Sequence, residues 1–227
     1  LDALDAAVNA GKVPEVPIAE QENGSDPKYP GHDPMSPEIC SSTYKCVNTA
    51  AWWDGPEGYF ASSFDDGPQP VSAYMRWFTT RFSDLRQTTS QLVAFLKEKN
   101  VKTTHFMIGT NILQYWRQFL EAFEAGDDIA VHTYTHPYMT TLSNEDIVGQ
   151  VSHPILSGYP SVSCTVQLGM TMELIHNSTG GRVPRFWRPP YGDSDNRVTA
   201  IAKEVRPYNG ISSTQRSHAH IFKGIRS

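Results

Sequence analysis

From Tyr59 onward, short apolar runs that halt at polar turns alternate with longer stretches of helical spacing, a pattern that suits parallel strands joined by crossing helices. Tyr59 to Phe64 reads as a strand that stops at Asp65-Asp66-Gly67-Pro68. Gln91 to Asn100 has helical spacing, with Leu92, Phe95 and Leu96 on one face. Val101 to Gly109 reads as a second strand and Ile112 to Gly126 as a second helix carrying Tyr115, Trp116, Phe119, Leu120 and Phe123. Asp128 to Val131 is a third strand that runs straight into His132. Leu168 to Ser178 is a helix ending near Gly180-Gly181, Arg185 to Trp187 a strand leading to Arg188, and Arg197 to Val205 a last helix. The residues able to do chemistry stand where strands end, which is where parallel α/β barrels and doubly wound sheets build their sites.

The rest of the chain bounds the function. At 227 residues it is long enough for one large core, and an α/β barrel can use all of it. A formal charge of −5 and the absence of any Lys/Arg block argue against nucleic acid as a partner. No apolar stretch is long enough to cross a bilayer, and Leu1 to Ala10 lack the basic flank and apolar centre of a secretion signal, so the chain is expected to be a mature form or a fragment. Leu1 to Cys46 is rich in Pro, Gly, Asp and Ser, which suits an extended arm over a domain, or partial disorder, better than a packed core. Cys40 and Cys46 are close enough to form a small disulfide in an oxidising compartment, and Cys164 has no evident partner. Asn23-Gly24-Ser25 and Asn177-Ser178-Thr179 match the glycosylation acceptor pattern, which arises easily by chance.

Three runs carry the chemistry, and each has an ordinary alternative. Asp65 and Asp66 point in opposite directions if the strand simply continues, but a turn at Gly67-Pro68 can bring both into one pocket; equally, an Asp before Gly often only closes a turn. His132 and His136 are four apart, so on a helical turn they share a face and can hold one ion, or they are two satisfied loop histidines. Arg188-Pro189-Pro190-Tyr191 puts a permanent cation in a stiffened segment, where it can keep a carboxylate ionised and oriented, or form a surface salt bridge.

In this order, each after a strand, the three runs resemble the polysaccharide deacetylases of carbohydrate esterase family four, the NodB homology group, and the fungal chitin deacetylases in particular. The resemblance extends from about Ala50 to Val205. It implies an α/β fold, a distorted and incomplete (β/α) barrel of the NodB homology type with an extended N-terminal arm. It also implies roles: Asp65 the general base, Asp66, His132 and His136 the ligands of a zinc ion or another divalent transition metal, Arg188 the residue that orients the base, and the Tyr191 main-chain N–H an oxyanion donor. The expected substrate is chitin or another N-acetylglucosamine polymer, and the expected location is secreted or in a fungal cell wall. A non-catalytic wall-binding protein, with Trp52, Trp53, Tyr138 and Trp187 stacking on sugars, and a polysaccharide O-deacetylase are the alternatives.

The sequence also departs from the family. The expected organisation is an arm over residues 1–50, a partial deacetylase domain over 51–205 with foreign insertions at 71–89 and 151–167, and an unrelated tail over 206–227. Both insertions begin Val-Ser and the tail follows Val205-Arg206; valine codons start with the two letters of an intron donor site, and a Gln167 codon can supply the acceptor ending. Retained introns are the expectation, with Cys164 inside the second, and real surface loops are the competing account. The family's late acid-bearing strands have no match, His218 and His220 lack a strand-like approach, and impaired activity and low stability are expected.

Overall fold

The computed structural model describes residues 2–51, 59–70, 89–148, 168–204 and 221–223. The insertions, except Thr89, and most of the tail with His218 and His220 lie outside the described residues, as do Cys164, Trp52 and Trp53.

Three parallel strands form the centre in the order β2 (Ser63–Gly67), β3 (Thr104–Met107) and β4 (Asp128–Val131). All four residues of β3 are buried, as befits the middle strand of a sheet covered on both faces. A short antiparallel pair, β1 (Tyr59–Ala61) with β5 (Ile221–Lys223), stands apart from this sheet. The expected strand from Arg185 to Trp187 is reduced to one parallel bridge, Val131 to Trp187, flanked by Val131 N–H donating to Phe186 O and Arg188 N–H donating to Val131 O. That single bridge is enough to bring Arg188 to the sheet's carboxyl end.

The helices follow the periodicity with two corrections. Helix α2 (Thr89–Glu98) buries Leu92, Val93 and Leu96, whereas Phe95 is 53% exposed, so its apolar stripe is offset by one position from the expected face. The expected helix from Ile112 to Gly126 is two helices, α3 (Gly109–Gln114) and α4 (Trp116–Glu124), broken at Tyr115, whose φ of −124° and ψ of 45° are not helical. Phe119 and Ala122 of α4 enter the core, and Trp116 stays exposed. Gly126, at φ 82°, closes α4: its N–H donates to Phe123 O while the Asp127 N–H donates to Ala122 O, a turn that needs a left-handed residue.

Helices α5 (Asn144–Val148), α6 (Gly169–Ser178) and α7 (Asn196–Glu204) complete the main core through Ile147, Ile175, Val198 and Ile201, each buried. The N-terminal segment is irregular over most of its length but opens with a helix, α1 (Asp2–Asn9), which packs on α5 and α7. Leu4, Ala7 and Val13 join the main core, so the arm is packed from its start; the helical placing of Leu4 and Ala7, three apart, is what turns both inward. Farther along, Val16, Ala19, Tyr29 and Ile39 form a second small core, and Cys40 and Cys46 are disulfide-bonded.

Candidate metal centre

The carboxyl end of β2 does not continue as a regular strand. Its register against β3 shifts between Phe64 and Gly67, and Asp66 adopts φ 64°. In an unbroken strand Asp65 and Asp66 would project to opposite faces; the bulge and the left-handed Asp66 bring both carboxylates to the same end of the sheet. The turn that was expected to do this, Gly67-Pro68, contains a cis peptide and follows the irregularity.

His132 follows β4 directly, with its N–H donating to Met107 O at 2.9 Å, and is only 3% exposed. Its Nδ1 lies 2.8 Å from the main-chain oxygen of Arg188. A carbonyl only accepts, so Nδ1 carries the hydrogen and Nε2 presents a lone pair. Burial holds the His132 pKa below its usual value, against the hydrogen bond to the Arg188 carbonyl and the charges of Asp65 and Asp66, which raise it; the repulsion of His136 adds to the lowering.

His136 reaches the same point by a loop. The expected helical turn is absent: Thr133 at φ 65° and His136 at φ 64° are both left-handed, and the His136 N–H donates to Thr133 Oγ1 at 3.0 Å. The Nε2 atoms of His132 and His136 lie 3.2 and 3.0 Å from Asp66 Oδ1. Three ligand atoms, all within 4.8 Å of one another, therefore converge from the ends of β2 and β4. Two imidazoles and a carboxylate form a donor set suited to zinc or a similar divalent ion, and tetrahedral zinc with bonds of about 2.0–2.2 Å spaces its ligands by about 3.3–3.5 Å, near the 3.2 and 3.0 Å that separate the two imidazoles from Asp66.

Arg188 faces Asp65. Its Nη1 donates to Asp65 Oδ1 at 2.6 Å and to Ser63 Oγ at 3.0 Å, and the guanidinium carbon lies 4.0 Å from the centroid of the Phe106 ring. Both partners are partly exposed, 41% for Arg188 and 35% for Asp65, so the pair contributes little to stability; its effect is to aim the carboxylate. Tyr191 lies in the tight turn Pro190–Gly192 at φ 58°, packs edge-on to His136 and stacks on Tyr138, with ring centroids 4.1 Å apart. Trp187, a sugar platform only in the wall-binding alternative, packs against the main core, while Tyr138 stays at the site.

Several residues around the site had no motif to announce them. Asn111 Nδ2 and Gln69 Nε2 both donate to the Asp66 carbonyl, at 3.0 and 3.2 Å. Asp193, fully buried two residues after Tyr191, accepts from the Thr140 N–H and hydroxyl and from the Thr43 hydroxyl, so one carboxyl joins the Tyr191 turn, the segment after His136 and the N-terminal arm. Its pKa is raised, chiefly by burial, with these hydrogen bonds opposing. Only contact across the fold identifies such residues; a buried carboxyl among hydroxyl-rich loops has no distinctive spacing.

The family model described as polysaccharide deacetylase matches residues 54–207. Chitin deacetylase 3 of Cryptococcus neoformans (serotype D, strain JEC21) is 39% identical over 198 residues, which are 86% of this chain and 40% of that protein. Chitin deacetylase 1 of Saccharomyces cerevisiae is 31% identical over 201 residues, 87% of this chain and 50% of that protein. The chain thus spans half or less of the length of these two relatives. Among solved structures, a family 4 carbohydrate esterase from Streptomyces lividans in complex with acetate matches with a TM-score of 0.45 and 25% identity, over 65% of this chain and 59% of that one.

Proposed function

Because this chain belongs to the polysaccharide deacetylase family, we propose that it hydrolyses N-acetyl groups on an N-acetylglucosamine polymer, with chitin as the polymer on the strength of its likeness to fungal chitin deacetylases. The observation that carries this is the convergence of Asp66, His132 and His136 beside an Asp65 already gripped by Arg188. A metal ligand set with a second, non-ligating carboxylate next to it suits hydrolysis of a neutral acyl group.

In this reading Asp66, His132 and His136 hold a divalent ion, zinc by the donor set. Such an ion, when bound, polarises an acyl oxygen and makes water a stronger acid. Asp65 is the general base that takes the water proton. Arg188 keeps the Asp65 carboxylate aimed until that proton arrives. The Tyr191 main-chain N–H donates to the substrate oxygen as negative charge develops there; the turn that presents it is pinned by Gly192 N–H to Pro189 O and Asp193 N–H to Pro190 O. Expulsion of the sugar amine requires a proton, and the three strand-end runs hold no further acid besides the Asp65 that has just taken one.

The reading puts the protein outside the cell or in its wall, an oxidising setting in which the Cys40–Cys46 disulfide persists. Acetate release from chitin oligomers tests the assignment. Release should stop on treatment with a strong chelator and return with added zinc. Release indifferent to the chelator, or none from zinc-loaded protein, overturns it, and faster release from an O-acetylated polymer transfers the assignment to ester cleavage.

A further inference from the structure

We infer that Asn111 is a positioning residue of the Asp66, His132 and His136 centre, holding Asp66 in the backbone conformation that lets its carboxylate meet both imidazoles; this rests on the metal-binding role proposed above. Asp66 is a non-glycine residue at φ 64°, a region that side-chain-bearing residues occupy at a cost and keep only when the surroundings hold them there. Its carbonyl receives two side-chain donors, Asn111 Nδ2 at 3.0 Å and Gln69 Nε2 at 3.2 Å. Gln69 lies three residues away on the same loop and moves with it. Asn111 is 45 residues away, on α3, and supplies an outside reference.

The start of α3 is itself fixed to both ligand-bearing loops. Ile108 N–H donates to Gly67 O at 2.8 Å, on the Asp66 side, while Gly109 N–H donates to Thr133 O at 3.0 Å and Thr110 N–H to Tyr134 O at 2.9 Å, on the histidine side. The approach is too close for any larger residue at Gly109, where an added Cβ would collide with Tyr134 Cδ2 and stand 2.7 Å from Thr171 Oγ1. Asn111 thus ties the Asp66 peptide to the same short segment whose N–H groups donate to the Thr133 and Tyr134 carbonyls. Without that tie the Asp66 backbone is freer to leave the left-handed conformation in which Oδ1 sits 3.0 and 3.2 Å from the two imidazoles.

The test is the zinc dissociation constant of the full chain, measured by competition with a chromophoric chelator, alongside the unfolding midpoint of the metal-free protein. Asn111→Ala and Asn111→Leu, the second close to the original in size, should weaken zinc binding by about 10–100-fold, as loss of other hydrogen-bond partners around metal ligands does. The metal-free midpoint should match that of Leu113→Ala, a change at an exposed position on the same helix that should leave zinc affinity unaltered. Zinc affinity within about threefold of wild type in both Asn111 variants, against the range just given, overturns the inference. An equal loss in Leu113→Ala, or failure of both Asn111 variants to fold, overturns it too. A wild-type chain that binds no zinc removes the metal role and this inference with it, whereas wild-type binding with unaffected Asn111 variants removes the inference alone.

Discussion

The main-chain oxygen of Arg188 accepts a hydrogen bond from His132 Nδ1 at 2.8 Å, while the same residue's guanidinium holds Asp65 at 2.6 Å. One residue thus sets the imidazole tautomer through its backbone and orients the candidate base through its side chain. The two functions separate on mutation, because a substitution removes the guanidinium and leaves the carbonyl.

Arg188→Met should therefore lower acetate release by at least about tenfold with little change in zinc affinity, since the tautomer-setting carbonyl survives. Asp65→Asn should cost about 10²–10⁴ in kcat/KM, the usual range for loss of a general base, again with zinc retained. Asp66→Asn should instead weaken zinc itself. Steady-state kinetics paired with metal titration distinguish the three; equal loss of zinc in all of them would refute the division of roles.

Gly109→Ala forces a methyl group into space already held by the Tyr134 ring and the Thr171 hydroxyl. Overpacking at a buried contact of this kind costs about 1–3 kcal/mol. The expected result is a lower urea midpoint together with weaker zinc binding, because Gly109 also donates to the Thr133 carbonyl in the histidine loop. A variant with wild-type stability would show that the loop yields freely.

Gln69, just before the first insertion, meets Thr89, its last residue. Gln69 N–H donates to Thr89 Oγ1 at 2.9 Å and Thr89 N–H donates to Gln69 O at 3.3 Å, so the chain on either side of residues 71–88 is already closed into a turn. Deleting 71–88 should leave the thermal midpoint and zinc affinity at or above their original values, since Gln69 and Thr89 are already in contact and a shorter connection between them costs less closure entropy. A deletion that abolishes folding would show that the segment belongs to the domain, and would count against its being a retained intron.

Asp193 makes stability depend on pH in a fixed sense. Burial raises its pKa above the ordinary 3.8, so ionisation is resisted in the folded state; Asp195 nearby is raised for the same reason, with Arg197 opposing. A carboxyl with a raised folded pKa contributes its full stability below the ordinary value and loses it as pH climbs through the folded value. Asp193→Asn, which cannot ionise, should therefore gain stability relative to wild type as pH rises from about 4 to about 7, read from urea unfolding of the metal-free protein. A difference that stays flat, or shrinks, would contradict the sign.

Which residues stand at strand ends was legible in the order of apolar runs and polar turns. Asp65 and Asp66, His132, and Arg188 each follow an apolar run, and all stand together at one end of the sheet. Local rules also located the end of α4 at Gly126 and the pairing of Cys40 with Cys46, because each depends on residues close in the chain. How the side chains point depends on contacts between segments far apart in the chain. No spacing announces the bulge that turns Asp65 and Asp66 the same way, the left-handed His136, the break at Tyr115, or the inward turn of Leu4 at the start of the arm. Asp65 finds Arg188 across 123 residues and Asp66 finds Asn111 across 45, and contacts at such separations leave no periodicity to read. Strand and helix patterns follow from backbone geometry repeated over a few residues, whereas these orientations follow from hydrogen bonds and packing that exist only once distant segments are already side by side.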